Sequence, residues 1–172
     1  MKRLVVGVVG LVATVIAASA FGEVIEWKVS DGGNGHFYEM GRASDNTWTT
    51  NNDTVNTMQY LGSQGHLLTI TSSQENAFIY DNFGSQIGGG AIWLGLTDVA
   101  LEGTFEWVTG EAFSYDNWRS GEPNNKGDED YASCVGVDAT WNDLKDNSGY
   151  GHYFIAEYDG PFAARKKKCV GW

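Results

Sequence analysis

Ile92-Trp93-Leu94-Gly95-Leu96 is a nearly continuous apolar run within a chain of 172 residues. Alternating apolar and polar residues mark a strand with one wet face, whereas an unbroken run marks one covered on both. These five residues therefore predict a central, twice-buried strand. Residues 84–90, immediately before it, are glycine-rich but lack the lysine and hydroxyl residue of a phosphate-binding loop, so they read as a flexible turn. Further back, Ser72-Ser73-Gln74-Glu75 offers a capping box to a helix carrying Ala77, Phe78, Ile79 and Phe83. His66-Leu67-Leu68-Thr69-Ile70 reads as a strand. Trp48, Val55, Met58 and Leu61 stand at roughly helical spacing and predict a first helix over 47–60. Packing must hold it, because its many Asn and Thr residues are weak helix formers. His36-Phe37-Tyr38-Glu39-Met40 reads as a strand after the turn chemistry of Asp31-Gly32-Gly33-Asn34-Gly35.

On the other side of the central run, residues 97–127 are irregular, with a short strand candidate at 104–108. So long an irregular stretch in a compact domain signals function or disorder. The aromatics at Trp107 and between Phe113 and Trp118 argue against disorder. Residues 131–137, Thr140-Trp141 and residues 153–157 supply the last strands.

The composition is 42% hydrophobic, 13% aromatic and 19% charged, which fits a chain that folds on a hydrophobic core. With only 2 Cys, a disulfide-dense scaffold is excluded. Lys2 and Arg3, the apolar run 4–18 and the small residues Ala18-Ser19-Ala20 form the pattern of a secretory signal over 1–20, leaving a mature chain from about Phe21. The run is shorter than the ~20 residues a membrane-spanning helix needs, and no later segment qualifies, so the mature chain is expected to have no span. Net charge is -11. Residues 21–164 hold 5 basic residues against 22 acidic ones, the rest of the positive charge lying in the signal and in Arg165, Lys166, Lys167 and Lys168. Such a field repels phosphate backbones and excludes nucleic acid as a natural partner.

Where the acidic residues cluster decides what they are for. Glu122-Pro123-Asn124-Asn125-Lys126-Gly127-Asp128-Glu129-Asp130 and Trp141-Asn142-Asp143 are rich in carboxylates and amide carbonyls, the ligands calcium takes. There is no EF-hand pattern, no H-E-x-x-H motif, and the three His are scattered, which argues against zinc.

Together these motifs resemble the C-type lectin-like domain family. Trp93-Leu94-Gly95-Leu96 is similar to its core W-I-G-L strand, Glu122-Pro123-Asn124 to its E-P-N specificity motif, and Trp141-Asn142-Asp143 to its W-N-D motif, in the family's order and spacing. Gly103-x-Phe105-x-Trp107 and Tyr115-x-Asn117-Trp118 match as well. The resemblance covers about residues 36–158, with 21–35 as a lead-in and 159–172 as a basic tail. It implies an α+β fold: two helices flanking small antiparallel sheets, with a long calcium-binding loop.

The resemblance further implies calcium (Ca2+) held by Glu122, Asn124, Glu129, Asn142 and Asp143. The same residues would bind the vicinal hydroxyls of a mannose-, glucose- or fucose-type sugar, and the Glu122-Pro123 bond would be cis. Asp98, Glu102, Asn125 and Asp130 fall at a partly matched auxiliary calcium site. The linker from Asn125 to Glu129 is one residue shorter than in mannose-binding members, which leaves the register at Glu129, and less so at Asp130, open by one. Tyr131, Ala156 and the region of Lys145 stand where family cysteines would be, so the fold rests on its core, with Cys134 a buried strand residue and Cys169 a tail thiol that could pair with it. The functional expectation is a lectin, secreted to the extracellular space or periplasm, binding glycans through calcium. The alternative is a lectin-like domain that binds protein or another non-sugar surface, with calcium only structural. No enzyme is expected. A glycosidase role for Glu122 and Glu129 needs one raised carboxyl pKa in a cleft, whereas carboxylates gathered on calcium are driven to stay ionised, and nothing resembles a hydrolase motif.

Overall fold

A computed structural model describes residues 22–148 and 152–161. The expected signal 1–20, Phe21, the basic cluster Arg165 to Lys168 and Cys169 lie outside the described residues. Strands β1 (Val24–Glu26) and β2 (Phe37–Gly41) precede helix α1 (Trp48–Val55), and three short strands follow: β3 (Gln59–Tyr60), β4 (Ser63–Gln64) and β5 (His66–Leu67). Helix α2 (Ser73–Ile87) leads into β6 (Ala91–Thr97), β7 (Glu106–Trp107), β8 (Tyr131–Val135), β9 (Trp141–Leu144) and β10 (His152–Tyr158). The main sheet runs β1-β2-β10-β6-β8-β9, with β5 on β10 and β7 on β6, and β3-β4 is a separate hairpin. Only the β10–β6 pairing is parallel, Phe154 lying opposite Trp93; the other pairings are antiparallel. This is the α+β C-type lectin-like fold.

The central strand divides the core by its alternation. Ile92, Leu94 and Leu96 face one cluster with Ile79, Phe83 and Trp141, while Trp93 faces the other with Trp48, Leu67 and Phe154. Each of Ile92, Trp93, Leu94 and Leu96 has no exposed surface, and a fully buried indole alone hides roughly 150–250 Å². Three of the buried indoles find acceptors: Trp93 Nε1 donates to Asn46 O at 2.9 Å, Trp48 Nε1 to Leu94 O at 2.7 Å and Trp141 Nε1 to Asn76 Oδ1 at 3.1 Å, whereas Trp107 Nε1 has none among the described residues. Gly95 shares the face of Trp93 and has to be bare. A Cβ there would stand 2.8 Å from both Leu67 O and Val108 Cγ2, because Gly95 N–H donates to Leu68 O at 2.8 Å and Gly95 O accepts from Val108 N at 2.7 Å.

Several boundaries differ from those the sequence predicts. The stretch expected to be a lead-in contributes β1, in which Val24 pairs with Glu39, and Trp27 enters the core stacked on Phe78 at 5.3 Å. The first helix stops at Val55, and Gln59 to Gln64 form a hairpin whose turn residues Leu61 and Gly62 both have positive φ. The second helix runs through 84–87, which the sequence assigns to a loop; Gly84 tucks under the Tyr80 ring, and the helix ends at Gly88, where φ is 59°. Its cap is Ser72, whose side chain accepts from Glu75 N. The Glu75 carboxylate reaches back to Thr71 N at 2.8 Å, one residue beyond the usual capping-box partner. Cys134 in β8 is buried, its thiol pushed up to about 12 by loss of solvent. Among the described residues, no helix is long and apolar enough to cross a membrane.

The close approach at Gly95 gives a direct test. Gly95→Ala forces a methyl against backbone and should cost about 1–3 kcal/mol by overpacking. Gly89→Ala, where a Cβ meets nothing within 4 Å, should stay within about 0.5 kcal/mol of the parent. Urea denaturation of the two variants measures the difference; equal stabilities would contradict the packing described.

Candidate functional site

The irregular segment after β7 is zipped onto the sheet before it opens into the acidic loop. Trp141 N donates to Asn117 O and Arg119 N to Trp141 O, both at 2.8 Å, so Trp118 runs beside β9 as an isolated parallel bridge. Trp118, Tyr115 and Trp107 each meet Trp141 edge-on with ring centroids 5.7–5.9 Å apart. The chain then turns, Glu122 N donating to Arg119 O at 2.9 Å, and the Glu122–Pro123 peptide bond is cis.

Asp143 anchors the loop beyond Pro123. It is fully buried, and its two carboxylate oxygens accept from Asn124 N at 3.1 Å and Asn125 N at 2.7 Å. The Asn125 side-chain oxygen accepts from Glu129 N at 2.7 Å, and Glu129 Oε2 accepts from Lys126 N at 3.0 Å, which closes the loop on itself. Asn125, Gly127 and Asp128 all have positive φ. Asn, Asp and Gly are the residues that tolerate this region, and the tight winding they permit folds the linker back toward β9.

Four of the five sequence-predicted ligands, Glu122, Asn124, Glu129 and Asn142, line one open depression of about 370 Å³, shared with Lys126 and Lys145. The fifth, Asp143, lies buried beside it. Glu122 Oε2 accepts a short hydrogen bond from Asn124 Nδ2. Desolvation first, and then the Asp143 carboxylate beside it, raise Glu122 above the ordinary carboxylate range, partly offset by Asn124. Glu129 is likewise raised, by desolvation and by Asp143, against the Lys126 N–H and the charges of Lys145 and Lys126. Acidic groups that raise one another in this way are a donor set that a hard cation fits.

A second acidic group lies nearby. Oxygens of Glu102, Asp128 and Asp130 come within 4.8 Å of one another, the one such trio among the described residues; Glu122, Glu129 and Asp143 do not form one. Glu102 is raised by desolvation and then by Asp98, Asp130 and Asp128; Asp130 is raised by desolvation and then by Asp128 and Asp98. Asp98 is 2% exposed. Its Oδ2 accepts from Gly103 N at 2.8 Å, while Oδ1 is buried with no hydrogen-bond partner among the described residues. A buried carboxylate oxygen without a donor is costly unless a cation meets it. Three of the residues predicted for an auxiliary site thus come together. Asn125 instead has its amide oxygen on Glu129 N, and Asp128, which the sequence reading missed, joins the cluster. The register left open by one residue at Glu129 and Asp130 is the signal that could have found it.

Residues 54–155 match the family model described as lectin C-type domain. Halomucin of Haloquadratum walsbyi is 35% identical over 141 residues, 73% of this chain but 1% of that protein. C-type lectin domain family 4 member M of Nomascus concolor is 40% identical over 98 residues, 55% of this chain and 23% of that protein. The chain thus spans at most about a quarter of the length of either relative. The C-type carbohydrate-recognition domain of cow CD23, determined in the presence of a GlcNAc2Man3 oligosaccharide, superposes with a TM-score of 0.60 at 26% identity, covering 71% of this chain and 86% of that one. The chain belongs to the lectin C-type domain family.

Proposed function

We propose that this chain is a secreted, calcium-dependent lectin whose sugar site is the depression lined by Glu122, Asn124, Glu129 and Asn142. The gathering of those four side chains beside buried Asp143 carries the reading. Calcium, when bound, supplies a coordination site for two vicinal sugar hydroxyls. The protein's part is to fix hydrogen-bond polarity around them. Glu122 and Glu129 accept from hydroxyl protons, while the amides of Asn124 and Asn142 offer a carbonyl to the cation and an N–H to the sugar. That order, with Glu122 before Pro123 and Asn124 after it, supports mannose-, glucose- and fucose-type ligands with equatorial vicinal hydroxyls. Asp98, Glu102, Asp128 and Asp130 would hold a second calcium that stiffens the loop from its other side. The signal-like segment 1–20 supports export.

Mannose-agarose retention should require calcium and vanish with EDTA. Asn142→Ala is the cleaner disabling variant, because Asp143→Ala also strips the acceptor from two loop N–H groups and threatens the fold. Asn142→Ala should lose retention, by at least about tenfold in affinity, with an unchanged circular dichroism spectrum. Retention that survives EDTA would defeat the mechanism.

The double variant Glu122→Gln with Asn124→Asp keeps net charge and oxygen count but swaps donor for acceptor around the hydroxyls. Its preference on a glycan array should move toward galactose. A mannose preference kept with calcium still bound would show that these two positions do not set specificity.

Acid should release calcium. Glu122 and Glu129 have raised pKa values without metal, so protons compete for them at higher pH than for ordinary carboxylates. Binding of calcium holds the ionised forms, so its stabilisation is present above the raised values and is lost as pH falls through them. Calorimetric titrations at pH 7 and roughly pH 5 should show calcium affinity falling with acid; an unchanged affinity would contradict a multi-carboxylate site.

A further inference from the structure

A cleft of about 450 Å³ lies between β1 with its following turn and the first half of α2, lined among others by Glu26, Trp27, Lys28, Asp31, Phe78 and Asp81. It shares no residue with the depression at Glu122. Trp27 and Phe78 stack across it at 5.3 Å, and Ala77 beside them is exposed. Glu26, Asp31 and Asp81 are exposed and make no salt bridge among the described residues. Three carboxylates thus stand against one ammonium, that of Lys28. They do not gather into a trio that one metal ion could bridge, as Glu102, Asp128 and Asp130 do. Carboxylates spread round a cleft fit a chain that carries several separate positive charges.

Such a chain follows at once in the sequence. A Cβ on Gly160 would stand 3.1 Å from Gly35 O, and Gly35 N donates to Trp27 O at 2.8 Å, so the end of the described chain lies two contacts from the cleft. In the same turn Asn34 Nδ2 donates to Glu75 Oε1 at 3.0 Å, one helical turn before Phe78. Residues 162–172 carry Arg165, Lys166, Lys167 and Lys168 and no acidic residue. An extended chain covers at most ~3.6 Å per residue, so the seven steps from Pro161 to Lys168 reach up to roughly 25 Å. The rival for these charges is the acidic group at Asp98, Glu102, Asp128 and Asp130, whose charge a bound divalent cation takes up.

We propose that the basic segment 162–172 docks in this cleft of its own chain, with Arg165 to Lys168 facing Glu26, Asp31 and Asp81 and the lysine stems lying along Ala77 and Phe78. The seated segment straps α2 to β1 and leaves the sugar depression uncovered. Exposed charge pairs are individually weak. A short tether, however, sets an effective concentration in the millimolar range, so a contact with a dissociation constant of about 1 mM is formed roughly half the time.

The test uses the cysteine inside the segment. Cys134 is buried with its thiol pushed up to about 12, so a thiol-reactive nitroxide goes to Cys169. In NMR spectra of the isotope-labelled full chain with calcium at low salt, the nitroxide should broaden the amide signals of Glu26, Asp31, Ala77 and Asp81. The broadening should be lost at 1 M salt, where the screening length is about 3 Å. It should be lost as well in Asp31→Asn/Asp81→Asn, and equally in Lys166→Gln/Lys167→Gln/Lys168→Gln, which changes nothing inside the domain. A segment that ranges freely would broaden the same signals alike in the parent and both variants, and that equality overturns the proposal. Broadening centred on Glu102, Asp128 and Asp130 overturns it in favour of the acidic loop. Broadening of an isotope-labelled chain by a second, nitroxide-bearing chain also overturns it, because the occupant is then another copy.

Discussion

The whole site hangs on a carboxylate that water does not reach. Trp141 and Asp143 alternate with Asn142 and Leu144 along β9, the first pair buried and the second half-buried. The register that sets Asp143 opposite Ala132 is thus the same one that seats Trp141 in the core. A buried carboxylate is tolerable only with donors on its oxygens, and here the donors are the backbone N–H groups of Asn124 and Asn125. The demand of one buried charge therefore fixes a loop about twenty residues distant in sequence. Core packing positions the strand, the strand positions Asp143, and Asp143 positions the turn carrying Glu122 and Asn124.

The same side-chain chemistry serves a different purpose elsewhere, and the difference is the number of donors. Glu75 accepts from Thr71 N, Thr71 Oγ1, Tyr38 Oη and Asn34 Nδ2. Glu157 is met by the His36 ring at 2.7 Å and Thr69 N at 2.8 Å. Both are buried and tie α2 and β10 to the first hairpin, with little capacity left for anything from outside. Desolvation and the Glu157 charge raise Glu75, an electrostatic cost carried within the fold. Glu122 and Glu129 have few partners and an open side. Acidic residues saturated with donors are structural; those left short of donors at a depression are the ones able to take a cation.

What could be read from the sequence was local or motif-borne. The central strand was legible because five apolar residues in a row have one economical placement, and the start of α2 because Ser72 carries its own capping chemistry. Glu122, Asn124, Glu129 and Asn142 were legible as a set only through the spacing of two motifs. The rest depended on long-range terms. Strand β1 is three residues of ordinary side chains whose pairing with β2 is supported by Trp27 finding Phe78, a contact across about fifty positions. The continuation of α2 through Gly84 contradicts propensity, since glycine disfavours helix, and holds because Phe83 and Ile87 are buried on either side of it. Asp128 entered the acidic cluster through a backbone excursion at Asn125, Gly127 and Asp128 that no side-chain pattern announces.

Packing and strand pairing hold the places where the family resemblance implies cysteine. Tyr131 packs against Trp48 with ring centroids 4.7 Å apart and planes tilted by 33°, coupling the start of β8 to the first helix without a covalent bond. Ala156, fully buried, pairs with Glu39 on one side and Leu67 on the other, so the last strand is held by hydrogen bonds from two neighbours. The edge-on ring of Trp107, Tyr115 and Trp118 around Trp141 does the same for the irregular segment before the site. Each such pair contributes about 0.5–1.5 kcal/mol beyond the area it buries. A segment with almost no regular structure is thereby kept rigid from its middle, through aromatic side chains meeting one buried indole. Its distal end remains a polar loop whose shape is set by the hydrogen bonds of Asp143.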